Sequence, residues 1–479
     1  MQDLKLFALL RSLKKHEVSS FSKHLKQLHG KEKIALQVFE YIQKFAPGFR
    51  DDKKLGMAYA YQKIFDADLS EHKNNQKKML NVLSELHLWL KDFLLSEKMR
   101  QDAFESQAIW LGILQEKGLV APFSRLATST YAETIGSPIK NTDDCWKGLL
   151  ASYFYYQLLS LTKPAPDIND LQNCLDTIAR CAETIRLKMA VEIANLKKIR
   201  PTQTPTTLSE ASKISQDEDP PLLLMYRKLN QLEAPGRESS FFQLQAMLVE
   251  HASAIEPVEL HWIFKYLYNY AATEIRNGHE DFFGKALHQL NIFGLERGFF
   301  IKKGVMVATE FVNIINVAAR AKDYVWTDSF MKEQSQFISD DTRADAVLLA
   351  NAVILFEKQD YKLALNLLEP TEFNDPHLFI RAKSLAVRCY FELKENTSSI
   401  LEHCLTFERW LIRKRKPQTG AVEAALTFIR ICKFLSAGKI DKQKLIDQIE
   451  EAPHVYFKEW LLAQAKNYKA KHAARKRKK

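Results

Sequence analysis

Glycine and proline are scarce in this chain, at 15 each in 479 residues. Sheet proteins use both in their many tight turns, so their scarcity, beside abundant Leu, Lys, Glu and Ala, argues for helices. Long apolar runs are missing as well. The longest uncharged stretch, 148–162, falls short of the ~20 apolar residues a membrane-spanning helix needs. It contains Ser152, Gln157 and four consecutive aromatics, and it reads as a buried core helix. The first residues, MQDLKLFALLRSLKKHEV, make a poor secretory signal, because the apolar stretch 6–10 is too short and no small-residue cleavage site follows. A cytoplasmic protein is expected.

The motifs of common chemistries are also absent. The six cysteines, Cys145, Cys174, Cys181, Cys389, Cys404 and Cys432, include no C-x-x-C pair and no cluster with histidine that suggests zinc. Cys174 and Cys181 are seven apart and share a helical face, which two small residues in a core stripe explain. No glycine loop follows a strand to cradle phosphate, no His-Glu-x-x-His pair binds zinc and no G-x-S-x-G elbow presents a nucleophile. The thirteen histidines are scattered, mostly beside lysines or on polar faces, and read as surface residues. Asp217, Glu218 and Asp219 read as the charge run of a linker. No catalytic residue, cofactor or metal site is assigned, and the chain is expected not to be an enzyme.

What the chain has is apolar residues, at 46%, in helical register. The first hundred residues read as a helical unit. Leu6, Leu9, Leu10 and Leu13 recur at helical spacing, Val18, Phe21 and Leu25 mark a second helix, and Val38, Phe39 and Ile42 mark a third that Pro47-Gly48 breaks. The clearest stripe is Met79, Val82, Leu83, Leu86, Leu90, Phe93 and Leu94. From 101 to 200 further hairpins follow. Asn141 to Asp144 supply capping groups for a helix expected to bury Trp146, Leu149, Leu150, Tyr153 and Phe154. The segment 168–199 keeps Leu171, Cys174, Leu175, Ile178, Cys181 and Ile185 in register. The pattern then stops at 201–221, PTQTPTTLSEASKISQDEDPP, a linker or exposed loop and the place of the main boundary.

The second half, 222–465, repeats a signature. Polar residues end one helix, an acidic or small polar residue and an aromatic follow, and a new amphipathic helix begins. It occurs in RESSFFQLQAML, NGHEDFFGKALHQL, RAKDYVWTDSFM and EKQDYKLALNLL, with Phe241, Phe282, Tyr324 and Tyr361 aligned 41, 42 and 37 residues apart. Such periods are those of stacked helical hairpins. In LANAVILFEKQDYKLALNLLEPTEFNDP, the positions of Ala352, Leu355, Tyr361, Ala364, Leu368 and Pro376 resemble a tetratricopeptide repeat. The usual glycine after the first helix is missing, and Gln359 stands near its place. More broadly, LSELHLWLKDFLLSEK, YLYNYAATEIRNG and EKQDYKLALNLL resemble an uncharacterised class of bacterial proteins that pair an amino-terminal helical unit with a repeat array. The resemblance implies an all-α fold, TPR-like helical-hairpin repeats forming an α-solenoid behind a helical amino-terminal unit, and it implies no activity.

The net charge is +11. Much of it lies in the basic tail 466–479, in Lys466, Lys469, Lys471, Arg475, Lys476, Arg477, Lys478 and Lys479, with no acid among them. Such a run cannot pack and attracts polyanions, or serves only as a solvated end. A second cluster, Arg413, Lys414, Arg415 and Lys416 with Arg409, ends a helix whose macrodipole it complements. Trp262, Tyr266 and Tyr270 share a face that packs against a neighbouring helix or stacks on bases. Two functions follow. One is a scaffold or adaptor that grips a protein partner on a curved repeat surface. The other is a nucleic-acid-associated protein anchored to RNA or DNA by the tail. No membrane partner is expected.

Overall fold

The structure, a computed structural model, describes residues 4–29, 34–51, 53–70, 74–162, 167–199, 219–232, 238–414, 420–438, 440–452 and 455–468. Most of the proposed linker and nearly all of the basic tail lie outside them. The described residues form an all-α fold of helices packed against their sequence neighbours, with one two-stranded antiparallel ribbon, β1 (Ile301–Lys302) and β2 (Val305–Met306). Among them, no helix is long and apolar enough to cross a membrane.

In chain order the helices are α1 (Lys5–Ser12), α2 (Lys15–His29), α3 (Ile34–Gln43), α4 (Met57–Phe65), α5 (Asn75–Gln101), α6 (Ala103–Glu116), α7 (Val120–Ile135), α8 (Thr142–Thr162), α9 (Ile168–Ile199), α10 (Pro221–Gln231) and α11 (Glu238–Glu250). There follow α12 (Pro257–Asn277), α13 (Glu280–Glu296), α14 (Ala308–Arg320), α15 (Tyr324–Gln334), α16 (Asp340–Glu357), α17 (Tyr361–Leu368), α18 (Pro376–Glu392), α19 (Thr397–Lys414), α20 (Gly420–Ala437), α21 (Lys442–Glu450) and α22 (Lys458–Asn467). The chain divides into two compact units, one of Met1–Ser137 with Lys147–Ile178 and one of Pro138–Trp146 with Ala179–Lys479.

In the first unit, α1 to α5 close over one core. The stripe of α5 is buried as its spacing predicts, with Met79, Leu83, Leu86, Leu90 and Phe93 against Phe21, Phe39 and their neighbours. Phe21 meets Phe39 edge-on at 5.0 Å between ring centroids. A smaller core joins α6, α7 and α8 through Leu111, Leu114, Phe123, Ala127 and Leu158.

The buried face of α8 differs from the expected one. Trp146 and Tyr153 are 58% and 49% exposed, while Cys145, Gly148, Ala151, Ser152, Leu158 and Leu159 are buried. A stretch with no charges gives periodicity little to choose a face by, and the side lined with small residues permits the closer approach. Leu175 on α9 is likewise exposed although it lies next to buried Cys174.

In the second unit the helices pair into hairpins, α12/α13, α14/α15, α16/α17 and α18/α19, and α14, α16, α18 and α20 pack in succession. The sequence hides a common turn. At Gly278, Lys322, Gln359 and Lys394 the backbone turns left-handed, with φ of 104°, 61°, 68° and 54°. In each, that residue's N–H bonds to the carbonyl three back and the next N–H to the carbonyl five back from it, as in Lys322 to Ala319 and Asp323 to Ala318, or Gln359 to Phe356 and Asp360 to Leu355. This is the Schellman pattern that satisfies the last carbonyls of a helix. Gln359 therefore does the glycine's geometric task. The Asp323 carboxylate then caps α15 by accepting from Trp326 N at 3.2 Å, and Asn396 caps α19 by accepting from Ser399 N at 2.9 Å.

The aromatics aligned in sequence do not share one helix position: Phe241 is the fourth residue of α11, Phe282 the third of α13, and Tyr324 and Tyr361 the first of α15 and α17. Phe282 is 59% exposed and Phe283 is fully buried, edge-on to Phe241 at 5.0 Å. Phe241, Phe283, Thr327 and Ala364, each the fourth residue of its helix, are all 0% exposed. A phenylalanine buried there contributes ~1.5–3 kcal/mol. Ala352, Ala364 and Leu368 are buried, and Pro376 is the first residue of α18, where its missing N–H costs nothing. Tyr266 and Tyr270 pack inward, Tyr270 against Phe241 at 5.8 Å, while Trp262 stays partly exposed.

Candidate functional site: an arginine and aromatic face that holds the last helix

The helix α22 packs on α20 and α21, as the next member of the stack would, and it also meets α12 at the other end of the succession. Between these ends its first turn reaches α13, α14 and α18. The side chains involved come from positions that look ordinary in sequence.

Arg388 is the centre. It sits in α18 within LAVRCYF, a lone charge on an apolar stripe, and is only 8% exposed. Its guanidinium lies 4.1 Å from the Phe356 ring centroid, 4.3 Å from that of Phe457 and 5.6 Å from that of Trp460. Cation–π attraction gains strength where water is excluded. Burial pulls the guanidinium's pKa below its usual range, Glu357 opposes that shift and Arg320 adds to it, and the group stays charged at neutral pH. Its Nε is buried with no hydrogen-bond partner among the described residues.

One turn further along α18, the Glu392 carboxylate accepts from Trp460 Nε1 at 2.6 Å and from Gln464 Nε2 at 3.0 Å. The indole stands edge-on to Phe391 at 5.5 Å and lies 6.1 Å from Phe428. At the rim, Glu459 approaches the Glu280 N–H at 3.4 Å and Arg320 Nη2 at 3.6 Å, and Arg320 also pairs with Glu280. The Glu280 N–H opens α13, so a carboxylate there also complements the helix dipole. Leu461 and Ala465 complete the contact as fully buried apolar residues. Tyr468 fixes the far end, its hydroxyl accepting from Ile440 N at 3.3 Å and donating to Ile440 O at 2.9 Å.

A second polar cluster is structural. Arg227 on α10 donates to both oxygens of Glu183 on α9, at 3.1 and 2.8 Å, and bonds Asp219 as well. Arg180 lies 3.7 Å from Asp219. The Asp219 side chain is wholly buried, so it is no part of a solvated charge run. Nearby, Lys188 donates to Glu259 at 2.7 Å and to Thr142 at 3.2 Å, and the Tyr226 hydroxyl donates to Glu259. Burial, and then Glu259, push the Tyr226 hydroxyl's pKa well up. These bonds tie α9, α10 and α12 together on either side of residues 200–218.

Two histidines leave the surface role expected of them. His288 is 7% exposed, bonded to Asp323 at 3.1 Å and edge-on to Trp326 at 4.8 Å. His403 is half-buried, its ring 4.9 Å from that of Tyr390. All six cysteines are free and buried, and among the described residues no group of three or more His, Cys, Asp or Glu is placed to hold a metal ion.

Of the cations assigned to polyanion contact, Arg413 is exposed in the last turn of α19, its Nε donating to Arg409 O at 3.3 Å, and Lys414 ends that helix. Lys466 is exposed near the end of α22 and its carbonyl accepts from Lys442 Nζ at 2.5 Å. Arg415, Lys416, Lys469, Lys471, Arg475, Lys476, Arg477, Lys478 and Lys479 lie outside the described residues. Arg388, Glu392 and Trp460 belong to no motif in the sequence. The lone arginine in LAVRCYF was the one local signal, because its partners stand far along the chain.

No protein-family model matches the chain, nor does any curated protein or solved structure. The fold itself places it among all-α helical-repeat proteins.

Proposed function

We propose that the chain is a non-enzymatic interaction scaffold or adaptor, a TPR-like α-solenoid in the cytoplasm whose repeat surface grips a protein segment. The observation that carries this is the way α22 is held. Buried Trp and Arg anchors with satisfied polar partners, here Trp460 on Glu392 and Arg388 among aromatic rings, are the contacts that dominate recognition between proteins. The test is site-specific photo-crosslinking of the full chain in its own cell, with the reactive group on the exposed end of α14 or α18. A discrete protein partner, lost when Glu392→Ala or Arg320→Ala is added, is the expected result. Crosslinks no more selective than those from a site on α2 sink the reading.

A second reading, association with RNA or DNA, is favoured by one specific observation: seven Lys or Arg and no acid follow Tyr468. If they neutralise one phosphate each, log affinity for duplex DNA should fall against log salt with a slope of about −6. A chain ending at Tyr468 keeps α22 and its Tyr468 anchor. It should lose the slope and the binding together, and equal binding by both chains removes this role for the tail.

A further inference from the structure

We propose that α22 is the built-in occupant of a receptor face on the array, and that the external partner is a helical protein segment of the same chemistry which binds by displacing it. The segment would carry an aromatic, a carboxylate two residues on and a second aromatic beside it, the pattern of Phe457, Glu459 and Trp460, with a further carboxylate at the level of Arg388. This deepens the scaffold reading and rests on it.

Four observations support displacement rather than a permanent cap. A terminal cap need only cover the last helix of a stack, whereas α22 also meets α12 and sends its first turn to α13, α14 and α18. Its hold combines specific polar and aromatic contacts with an apolar seat in which Val455, Tyr456, Phe457, Trp460 and Leu462 are only partly buried. Only Leu461 and Ala465 of the helix itself are fully buried. Phe457, which begins the helix, takes a left-handed backbone with φ of 57° and makes no side-chain cap. A bulky residue disfavours that conformation, so release of α22 relieves it. Finally, Arg388 stays buried with its Nε unanswered. A guanidinium offers five donors in a fork matched to a carboxylate, and the aromatic rings that stack on Arg388 leave Nε among those donors unanswered. An incoming carboxylate would supply what α22 does not, which gives the partner an advantage over the internal occupant and defines its chemistry.

The test uses the full chain and, as probe, a fluorescent synthetic peptide of residues 455–468, VYFKEWLLAQAKNY. Trp460→Ala loosens the internal helix. That variant should bind the peptide in trans at least about 10-fold more tightly than the wild-type chain, whose own α22 competes. A peptide with Val455→Glu should bind more tightly than the parent, and adding Arg388→Gln should abolish that difference. If the Trp460→Ala chain keeps its helical circular dichroism and binds no better than wild type, the proposal is overturned. Should that variant not fold, hydrogen exchange on the wild-type chain decides. Amides of α22 should exchange at least about 100-fold faster than those of α18 and α20, and faster again with excess peptide. Exchange of all three helices in one event overturns the idea. The two readings fail separately. Crosslinks to a partner without peptide binding leave the scaffold and remove the displaceable helix. Peptide binding without any partner does the reverse.

Discussion

Replacing Gly294 with alanine should destabilise the protein, although the same change at most helix positions stabilises. Within a helix, alanine is favoured over glycine by about 1 kcal/mol, through backbone entropy and cover for the peptide groups. Gly294 lies near the end of α13, and a Cβ built there stands 2.6 Å from Phe300 Cε2 and 2.7 Å from Phe264 Cζ. Both rings are nearly sealed, at 5% and 3% exposure, and they meet each other edge-on at 5.8 Å. Phe299 and Phe293 hold Phe264 from other sides, at 5.1 and 6.2 Å. No ring can move without pushing another. Overpacking of this kind costs ~1–3 kcal/mol, which exceeds the propensity gain in most of its range. A net loss of up to ~2 kcal/mol is expected, or a fall in Tm of up to about 3 °C in a unit of this size. The control lies on the same helix. A Cβ at Gly284 meets only Glu280 Cγ at 3.5 Å, an ordinary contact, so Gly284→Ala should be neutral or stabilise by up to ~1 kcal/mol. Paired thermal melts read both. A Gly294→Ala protein melting at or above wild type, with Gly284→Ala behaving as stated, would refute the packing argument.

Two further predictions concern buried charge. Burial first, and then Lys383, pull the His403 pKa down to about 4. The folded state thus binds its proton less readily than the unfolded chain, and the stability this represents is complete above pH ~6.5 and drains away as pH falls towards 4. Its ceiling is ~3 kcal/mol, and urea melts of His403→Gln across that window should show a flatter pH dependence than wild type. Asp219→Ala leaves Arg227 with Glu183 alone and Arg180 without its nearby carboxylate. The loss should be ~3–5 kcal/mol and little changed between low and high salt, and a loss under 1 kcal/mol would mean the cluster is effectively solvated.

Much of the fold is legible in the sequence where charges alternate with apolar residues. The bounds expected for the helix at 168–199 are those of α9, and the α5 stripe is buried residue for residue at its centre. Legibility fails where the local pattern is degenerate. On α8 the uncharged stretch offers every face, and burial selects the small residues. At Phe282 and Phe283 two equivalent letters stand side by side, and only the helix start decides which turns inward. Asp219 looks like its neighbours Asp217 and Glu218 because its partners, Arg227, Arg180 and Glu183, are fixed by packing. The α22 site was illegible for a further reason. Trp460 and Glu392 are 68 residues apart, and Glu459 and the Glu280 N–H are 179 apart. No local spacing encodes such pairs, which exist only once the hairpins have stacked.

The four Schellman turns bear on how an array of this kind changes over generations. Their geometry is secured by main-chain atoms, which every residue but proline supplies. Gly278 holds one turn, while Lys322, Gln359 and Lys394 hold the others at a cost of about 1–2 kcal/mol each, small enough for the hairpin packing to absorb. The alphabet at these corners is therefore permissive, and lineages can exchange the letters there while inheriting the corner itself. What such a fold requires is a rhythm of bends rather than a motif, and two chains could share the same architecture after their spelling has ceased to resemble each other.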